Sequence, residues 1–108
     1  MKKDDIGKTK PIKRLRKLLT VGNLWLYIMS LIKSKKKFYA YALDKEIETN
    51  FYFKPSKVMI YLVLYRLEGE GMIASKFEER RKYYTITKKG TETLMQAKKY
   101  FLLLSKKL

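Results

Sequence analysis

The side chains that could carry chemistry in this sequence are overwhelmingly cationic. Lys and Arg number 26 against 10 Asp and Glu, which gives a formal charge of +16 at pH 7. The sequence contains no His and no Cys, so it lacks the usual general base near neutral pH, any thiolate nucleophile and two common metal ligands. The chemistry that remains is the binding of polyanions, and nucleic acid is the commonest such partner of a small basic domain.

The carboxylates do not form a second chemical signal. Glu78 and Glu79 are adjacent, so in a strand they would point to opposite faces and could not act as a catalytic pair. Asp44, Glu46 and Glu48 do not have the spacing of a calcium-binding loop. We therefore predict no catalytic residue, no metal site, no cofactor and no enzymatic activity.

The spacing of apolar residues predicts a mostly helical scaffold for these charges. Before residue 51 the predicted elements are a flexible basic arm at 1–10, a short helix at 12–19, a core helix at 24–32 behind an Asn23 N-cap, and an amphipathic helix at 41–50. Each helix carries apolar residues at steps of three or four, which is the period of one helix face. The first half of the chain is therefore predicted to be all helical.

A further helix follows Pro55, which disfavours helical backbone at the residue before it. Ser56 is a suitable N-cap, and Gly71 is the natural left-handed residue after the helix ends near Glu70. The apolar side of this helix consists of Ile60, Val63, Leu64 and Leu67. If that side faces the core, a rotation of about 100° per residue leaves Val58, Leu62 and Tyr65 facing outward.

Two strands and a last helix complete the chain. Residues 72–77 alternate as a strand, the polar residues 78–80 form a turn, and residues 82–86 are rich in Tyr, Thr and Ile, which favour a returning strand. Thr87 is a suitable N-cap for a helix over about 88–108. Its apolar residues recur at steps of three and four, a seam that favours pairing with a second helix. The predicted dimerisation residues are Leu94, Ala97, Phe101, Leu104 and Leu108.

This order of elements predicts a mainly α fold with a small β-hairpin wing. It is the order of a winged helix-turn-helix with an extra helix at each end, folded as a single domain over 11–108. In such a fold the helix at 56–70 enters the major groove of duplex DNA, while cations on the wing meet the flanking phosphates.

Three stretches make the comparison more specific. FYAYALDKEI at 38–47, SKVMIYLVLYRLEGEGMI at 56–73 and RRKYYTITKKG at 80–90 resemble, in residues and spacing, the PadR family of winged-helix transcription regulators. The resemblance covers roughly residues 20–105. It implies a DNA-binding regulator, most often a repressor, that forms a homodimer through its C-terminal helix.

The resemblance implies that Ser56, Lys57 and Tyr61 approach DNA at the start of this helix, and that Arg80, Arg81 and Lys82 reach the DNA backbone from the wing. Lys54 beside the helix and the outward Val58 and Tyr65 complete the predicted DNA contacts. Some family members are released from DNA by small phenolic or aromatic ligands. A small aromatic effector is therefore a candidate partner, in a pocket at the dimer interface lined by Trp25, Phe38, Tyr39 and Tyr41, although aromatics at helical spacing are more often core residues.

The sequence departs from the family at the helix that would read DNA. Family members usually carry Gly, Thr, Leu, Tyr and Pro in succession where this chain has Val, Met, Ile, Tyr and Leu at 58–62. Apolar side chains can touch thymine methyl groups, but they cannot form the bidentate hydrogen bonds that distinguish purines. Two alternatives therefore stay open beside the repressor: a sequence-tolerant nucleoid protein, and a winged-helix module that binds another protein.

The basic start and the apolar run at 18–32 superficially resemble a signal peptide. The run is interrupted by Thr20, Gly22, Asn23 and Ser30. It is followed by KSKKK instead of a cleavage site, and it is too short to span a bilayer. We therefore expect a cytoplasmic, nucleoid-associated protein with double-stranded DNA, and no membrane, as its partner.

Overall fold

The computed structural model describes residues 7–35 and 37–108. Within them the helices are α1 (Lys10–Leu19), α2 (Leu24–Lys35), α3 (Leu43–Phe51), α4 (Lys57–Gly69) and α5 (Lys88–Lys107), and the strands are β1 (Phe38–Tyr39), β2 (Ile73–Glu78) and β3 (Arg81–Ile86). Short 3-10 turns precede α2 and α3. The predicted mainly helical fold with a β-hairpin wing is confirmed.

The sheet contains one strand that the sequence analysis missed. The strands are ordered β1, β3, β2 and are antiparallel, with Ile73 opposite Ile86 and Glu78 opposite Arg81 in the hairpin. The short β1 adds a third strand by pairing Phe38 with Tyr84. A two-residue strand is too short to show a period in sequence, which is why only the hairpin was predicted.

The hydrophobic core lies between α2, α3, α4 and the sheet. Its fully buried side chains include Leu24, Ile28, Met29, Ile32, Leu43, Ile47, Ile60, Leu64 and Ile73. Each such aliphatic side chain stabilises the fold by about 1.5–3 kcal/mol relative to exposure. Helix α4 gives the core one side only, so its other side is left for solvent or a partner.

Asn23 does not cap α2, and that prediction is wrong. Its side-chain amide donates to the Leu18 carbonyl at 2.6 Å, and its side-chain oxygen accepts from the Trp25 indole N–H at 3.3 Å. The chain enters α2 through a 3-10 turn at Val21–Asn23. Asn23 therefore satisfies a carbonyl at the end of α1, where the sequence pattern favoured an N–H at the start of α2.

Helix α4 ends as predicted, at a left-handed glycine. Gly71 has φ of +77°, and its N–H donates to the Glu68 carbonyl at 3.1 Å. The Met72 N–H donates to the Leu67 carbonyl at 2.9 Å. These two bonds are those of a Schellman motif, which reverses the chain from α4 into β2.

The first turn of α5 packs tightly against this same reversal. The Thr87 hydroxyl accepts from the Gly90 N–H at 3.0 Å, so the predicted N-cap is confirmed. A Cβ on Gly90 would lie 2.1 Å from the Met72 carbonyl oxygen. Gly90 is therefore required by a close backbone approach.

The run Lys10–Lys35 extends beyond the apolar run at 18–32 and is long and apolar enough, by length and composition, to cross a membrane, so the expectation that length excludes a span is wrong. Its second half is the core helix α2, while α1 contributes no buried residue and leaves Leu15 and Leu18 exposed. Only 28% of the apolar 18-residue segment within this run is buried in the single chain. The packing of α2 agrees with the core helix predicted there, and α1 retains an uncovered apolar stripe.

The basic arm predicted at 1–10 lies largely outside the described residues, which begin at Gly7. Lys10 is already the first residue of α1, and Pro11 lies in its first turn. The division into an arm and a single domain at 11–108 stays a prediction.

Replacing Gly90 by Ala is expected to destabilise the protein by about 1–3 kcal/mol, as overpacking does, because the obstructing atom is a backbone carbonyl that cannot rotate away. Urea unfolding monitored by circular dichroism measures the change. Gly69→Ala is the matched control. Nothing lies within 4 Å of its added Cβ, so it should stabilise by about 0.5–1 kcal/mol. Equal effects of the two substitutions would contradict the close approach.

Candidate nucleic-acid interface

Helix α4 presents an apolar outward side, as its sequence predicted. Ile60, Leu64 and Leu67 are buried, whereas Val58 and Tyr65 are 79% and 78% exposed. Tyr61 and Leu62 are also exposed on this side. The outward side therefore offers mainly methyl groups, aromatic rings and two phenolic hydroxyls, with the exposed guanidinium of Arg66 toward the end of the helix.

The N-terminus of α4 is capped and cationic. The Ser56 hydroxyl accepts from the Met59 N–H at 3.2 Å, which confirms the predicted cap. Lys54, Ser56 and Lys57 are all exposed beside it. The unpaired N–H groups of a helix N-terminus and the adjacent lysines together favour an anion such as a phosphate.

One acidic residue at this end was missed by the sequence analysis. Asp44 is only 5% exposed, and its Oδ2 lies 3.9 Å from the Lys57 Nζ, while its Oδ1 accepts from the Lys45 N–H at 2.9 Å. The sequence pattern around Asp44 was weighed only as a calcium-binding loop. The signal that could have found it is its position three residues before Ile47, on the same buried stripe.

Aromatic packing holds the connection between α3 and α4 against α2. The Tyr27 ring lies edge-on to Phe51 and to Phe53, with both pairs of ring centroids 4.9 Å apart. The Tyr27 hydroxyl donates to the Leu19 carbonyl, and burial raises the pKa of Tyr27 above its ordinary value. Tyr52, between the two phenylalanines, is left-handed with φ of 65° and ends α3. Tyr27 thus positions the turn before α4.

The tip of the wing is a two-residue turn made without glycine. Glu79 and Arg80 have φ of 49° and 70°, and Glu78 pairs with Arg81 across the turn. Two successive left-handed residues are typical of a type I′ hairpin, whose twist matches that of the strands. This turn projects Arg80, Arg81 and Lys82 into solvent, so the three predicted wing cations lie together at one end of the molecule.

Ion pairs fix the wing on both of its faces. Glu68 of α4 accepts a hydrogen bond from the Ser75 hydroxyl and lies 3.8 Å from the Lys82 Nζ. On the other face Lys37 pairs with Glu78, and its Nζ lies 4.7 Å from the centre of the Tyr83 ring. The hydrogen bond from Lys37 to Glu78 raises the pKa of Lys37. Exposed pairs of this kind contribute little to stability, so they orient the wing more than they stabilise it.

Within the single chain, the four aromatics predicted to share an effector pocket do not line one cavity. Trp25 lines a cavity of about 360 Å³ under α4, together with Met59, Val63 and Arg66. Phe38, in contrast, is buried in the core, and Tyr39 and Tyr41 stack on one another with ring centroids 5.9 Å apart. Only Trp25 of the predicted set therefore lines this cavity.

Helix α5 leaves the body of the protein after its first turns. Leu94, predicted for the dimer seam, is instead buried in the core of its own chain. Ala97 is half-buried, and Phe101, Leu104 and Leu108 are exposed. Beside them runs an apolar groove lined by Leu19, Leu26, Tyr27, Phe51 and Phe101. The single chain thus leaves an apolar surface along α5 that continues toward the end of α1.

Helices α2, α3 and α4 are followed by a hairpin wing, and cations lie at the start of α4 and at the wing tip. This arrangement defines a winged-helix protein. Within that class, the chain belongs to the PadR-like family of transcriptional regulators, whose family model matches residues 28–96.

Solved structures agree with this assignment. A transcriptional regulator from Clostridium thermocellum is 27% identical, with 93% of each chain covered and a TM-score of 0.71. A PadR family transcriptional regulator from Eggerthella lenta is 25% identical, with 95% of this chain and 88% of that chain covered and a TM-score of 0.75. A PadR-like transcriptional regulator from Bacillus cereus is 29% identical, with 85% and 91% covered and a TM-score of 0.71. A search of curated protein sequences gives no match.

Replacing Ser56 by Ala is expected to destabilise the protein by about 1 kcal/mol, because the Met59 N–H loses its cap. Ser56→Asp is the matched variant, since its carboxylate can accept the same hydrogen bond and favours the helix N-terminus. Thermal unfolding compares the two. A lower melting temperature for both variants would contradict a capping role for Ser56.

Proposed function

We propose that this protein is a transcriptional repressor that binds duplex DNA as a homodimer through α4 and the wing. The observation that carries the proposal is the exposure, on two neighbouring elements, of every residue predicted to contact DNA. As a DNA-binding regulator it would act in the cytoplasm, associated with the nucleoid, and it would block transcription by occupying a promoter without catalysing a reaction.

The dimensions of α4 suit the major groove. An α-helix with its side chains is about 10–12 Å across, and the major groove of B-DNA is about 12 Å wide. With Ile60 and Leu64 turned into the core, Val58, Tyr61 and Tyr65 would face the bases. Val58 suits thymine methyl groups, while the tyrosine hydroxyls can exchange hydrogen bonds with base edges or phosphates.

Phosphate binding would come from the ends of this surface. Among the described residues, no ion pair involves Lys54, Arg80 or Arg81, so these cations are available to DNA at no cost in internal pairing. Lys57 and Lys82 each have a carboxylate within 4 Å. To bind DNA, these two lysines would have to leave their carboxylate partners and pair with phosphates. They would therefore contribute less to DNA affinity than their exposure alone indicates.

The homodimer is supported by the surface that α5 leaves uncovered. Phe101, Leu104 and Leu108 are exposed on a helix that projects from the body, and the groove beside them is lined by apolar side chains. A second copy that laid its α5 along this surface would bury both seams at once, in a two-fold arrangement. Two copies would then present two α4 helices to DNA, as paired half-sites require.

A small aromatic effector would bind the cavity beside Trp25. The cavity is largely apolar, and Arg66 and Glu70 supply charged groups in its lining. Met59, Val63 and Leu67 of α4 form one of its walls. A ligand seated there would therefore press on the helix that contacts DNA, which offers a physical route from ligand binding to release.

Fluorescence anisotropy with two duplexes tests DNA binding directly. One duplex comes from the region upstream of the gene for this protein, and the other has the same length and a scrambled sequence. At about 200 mM salt a specific regulator should bind the upstream duplex at least about 10³-fold more tightly. Arg80→Gln should weaken binding to both duplexes and reduce the slope of log K against log [salt] by about 1, because one phosphate contact is lost.

The matched control is Lys106→Gln, which removes the same charge from the last turn of α5. Its salt slope should equal that of the wild type. If both duplexes bind alike and weaken together as salt increases, the sequence-tolerant nucleoid protein replaces the repressor, as the apolar side of α4 would allow. If neither duplex binds, the protein-interaction module remains, with Val58, Leu62 and Tyr65 as its contact surface.

Leu104→Asp is expected to convert the dimer into a monomer, because it places a charge in the apolar seam. Sedimentation velocity at micromolar concentration measures the change. Ser105→Asp adds the same charge one residue further along the helix, off the seam, and should leave the dimer intact. If the wild-type protein sediments as a monomer, binding of a homodimer to two DNA half-sites is ruled out.

A further inference from the structure

Phe77 is an exposed aromatic residue on the wing, and no element within residues 7–35 and 37–108 covers it. Its side chain is 73% exposed, although it lies in β2 only one residue before Glu78, which pairs with Arg81 at the end of the hairpin. The rest of the wing tip is charged. In the sequence, Phe77 is only the last residue of the predicted strand at 72–77.

The strand register places Phe77 on the side of the wing that faces α4. Directly opposed residues of antiparallel strands share a face, and so do residues two apart along one strand. Phe77 opposes Lys82 and lies two residues after Ser75. Both Ser75 and Lys82 contact Glu68 of α4. Phe77 therefore lies on the α4 side of the wing, beyond the contact made by Glu68.

This face changes from buried to exposed along the strand. Ile73 is fully buried at its start, Ser75 is half-buried beside Glu68, and Phe77 is exposed at its end. The pairing of Phe77 with Lys82 is a backbone ladder that any side chain would permit. The phenyl ring is thus not needed to close the core, and burial of its exposed area against a partner would be favourable.

The charges around Phe77 decide between partners. Lys76 precedes it, Lys82 lies opposite, and Arg80 and Arg81 form the tip. A second copy of this chain, itself carrying +16, would bring like charges together here. Duplex DNA matches the pattern instead, because phosphates can meet the cations while sugar and base surfaces meet the phenyl ring.

We propose that Phe77 is an apolar DNA contact that enters the minor groove flanking the stretch of major groove occupied by α4. Apolar side chains in minor grooves act as wedges that partly unstack a base step. The proposal rests on the proposed DNA-binding function and adds a contact whose energy comes from apolar area and stacking. Unstacking costs less free energy at flexible base steps, so the wedge would favour DNA sites that contain such steps. This would add sequence preference to an α4 surface that has few polar groups.

The test measures affinity, salt slope and base unstacking with Phe77→Ala. Loss of the ring should lower the affinity for the duplex about tenfold, within the range for one aromatic contact with a base. The slope of log K against log [salt] should not change, because no phosphate contact is lost. In a duplex carrying 2-aminopurine along the flanking minor groove, wild-type protein should raise the fluorescence and Phe77→Ala should not.

Tyr41→Ala is the matched control. Tyr41 is 58% exposed and stacks on Tyr39, which contacts Tyr83 on the other face of the sheet. It should leave DNA affinity unchanged. Wild-type affinity and fluorescence for Phe77→Ala would overturn the proposal while leaving DNA binding intact. Loss of the dimer in Phe77→Ala would also overturn it, by assigning the ring to a second copy. Failure of wild-type protein to bind any duplex would overturn the proposed function itself.

Discussion

The first turn of α5 lies directly on the turn that ends α4, and this contact determines the relative positions of α4, the wing and α5. The Thr87 N–H donates to the Met72 carbonyl at 3.1 Å, and the Lys89 Nζ donates to the Glu70 carbonyl at 3.0 Å. Gly90 lets the two backbones approach. Helix α4, strand β2 and helix α5 all leave this junction, so the angles among the DNA-facing helix, the wing and the seam depend on a few backbone contacts.

The charge distribution of this fold favours a polyanion as its partner. In the described part of the chain two of the three ion pairs join different elements, and the third joins Lys37, just before β1, to Glu78 of β2. Two of the three tie the wing in place. With 26 cations and 10 acids, most cations have no acid to pair with. Their mutual repulsion is relieved by a polyanion and opposes self-association. A dimer of this chain therefore has to be held by apolar contacts, which is what the exposed end of α5 offers.

Much of the fold was predictable because it depends on local chemistry. The caps at Ser56 and Thr87 and the left-handed Gly71 each act within a few residues, so their sequence signals were sufficient. The apolar period of α4 likewise identified its buried and exposed sides. The prediction was wrong for Asn23, because its partner is a carbonyl five residues earlier whose position depends on the bend between two helices.

The sequence by itself determined the kind of partner and the order of elements, since total charge, helical period and turn residues do not depend on distant contacts. Only the tertiary structure decided which side chains share a surface. It buried Asp44 beside Lys57, placed Leu94 in the core and separated Trp25 from the other aromatics. It also turned Phe77 toward α4 through the strand register. These outcomes depend on contacts between residues far apart in the chain, and a local pattern contains no information about them.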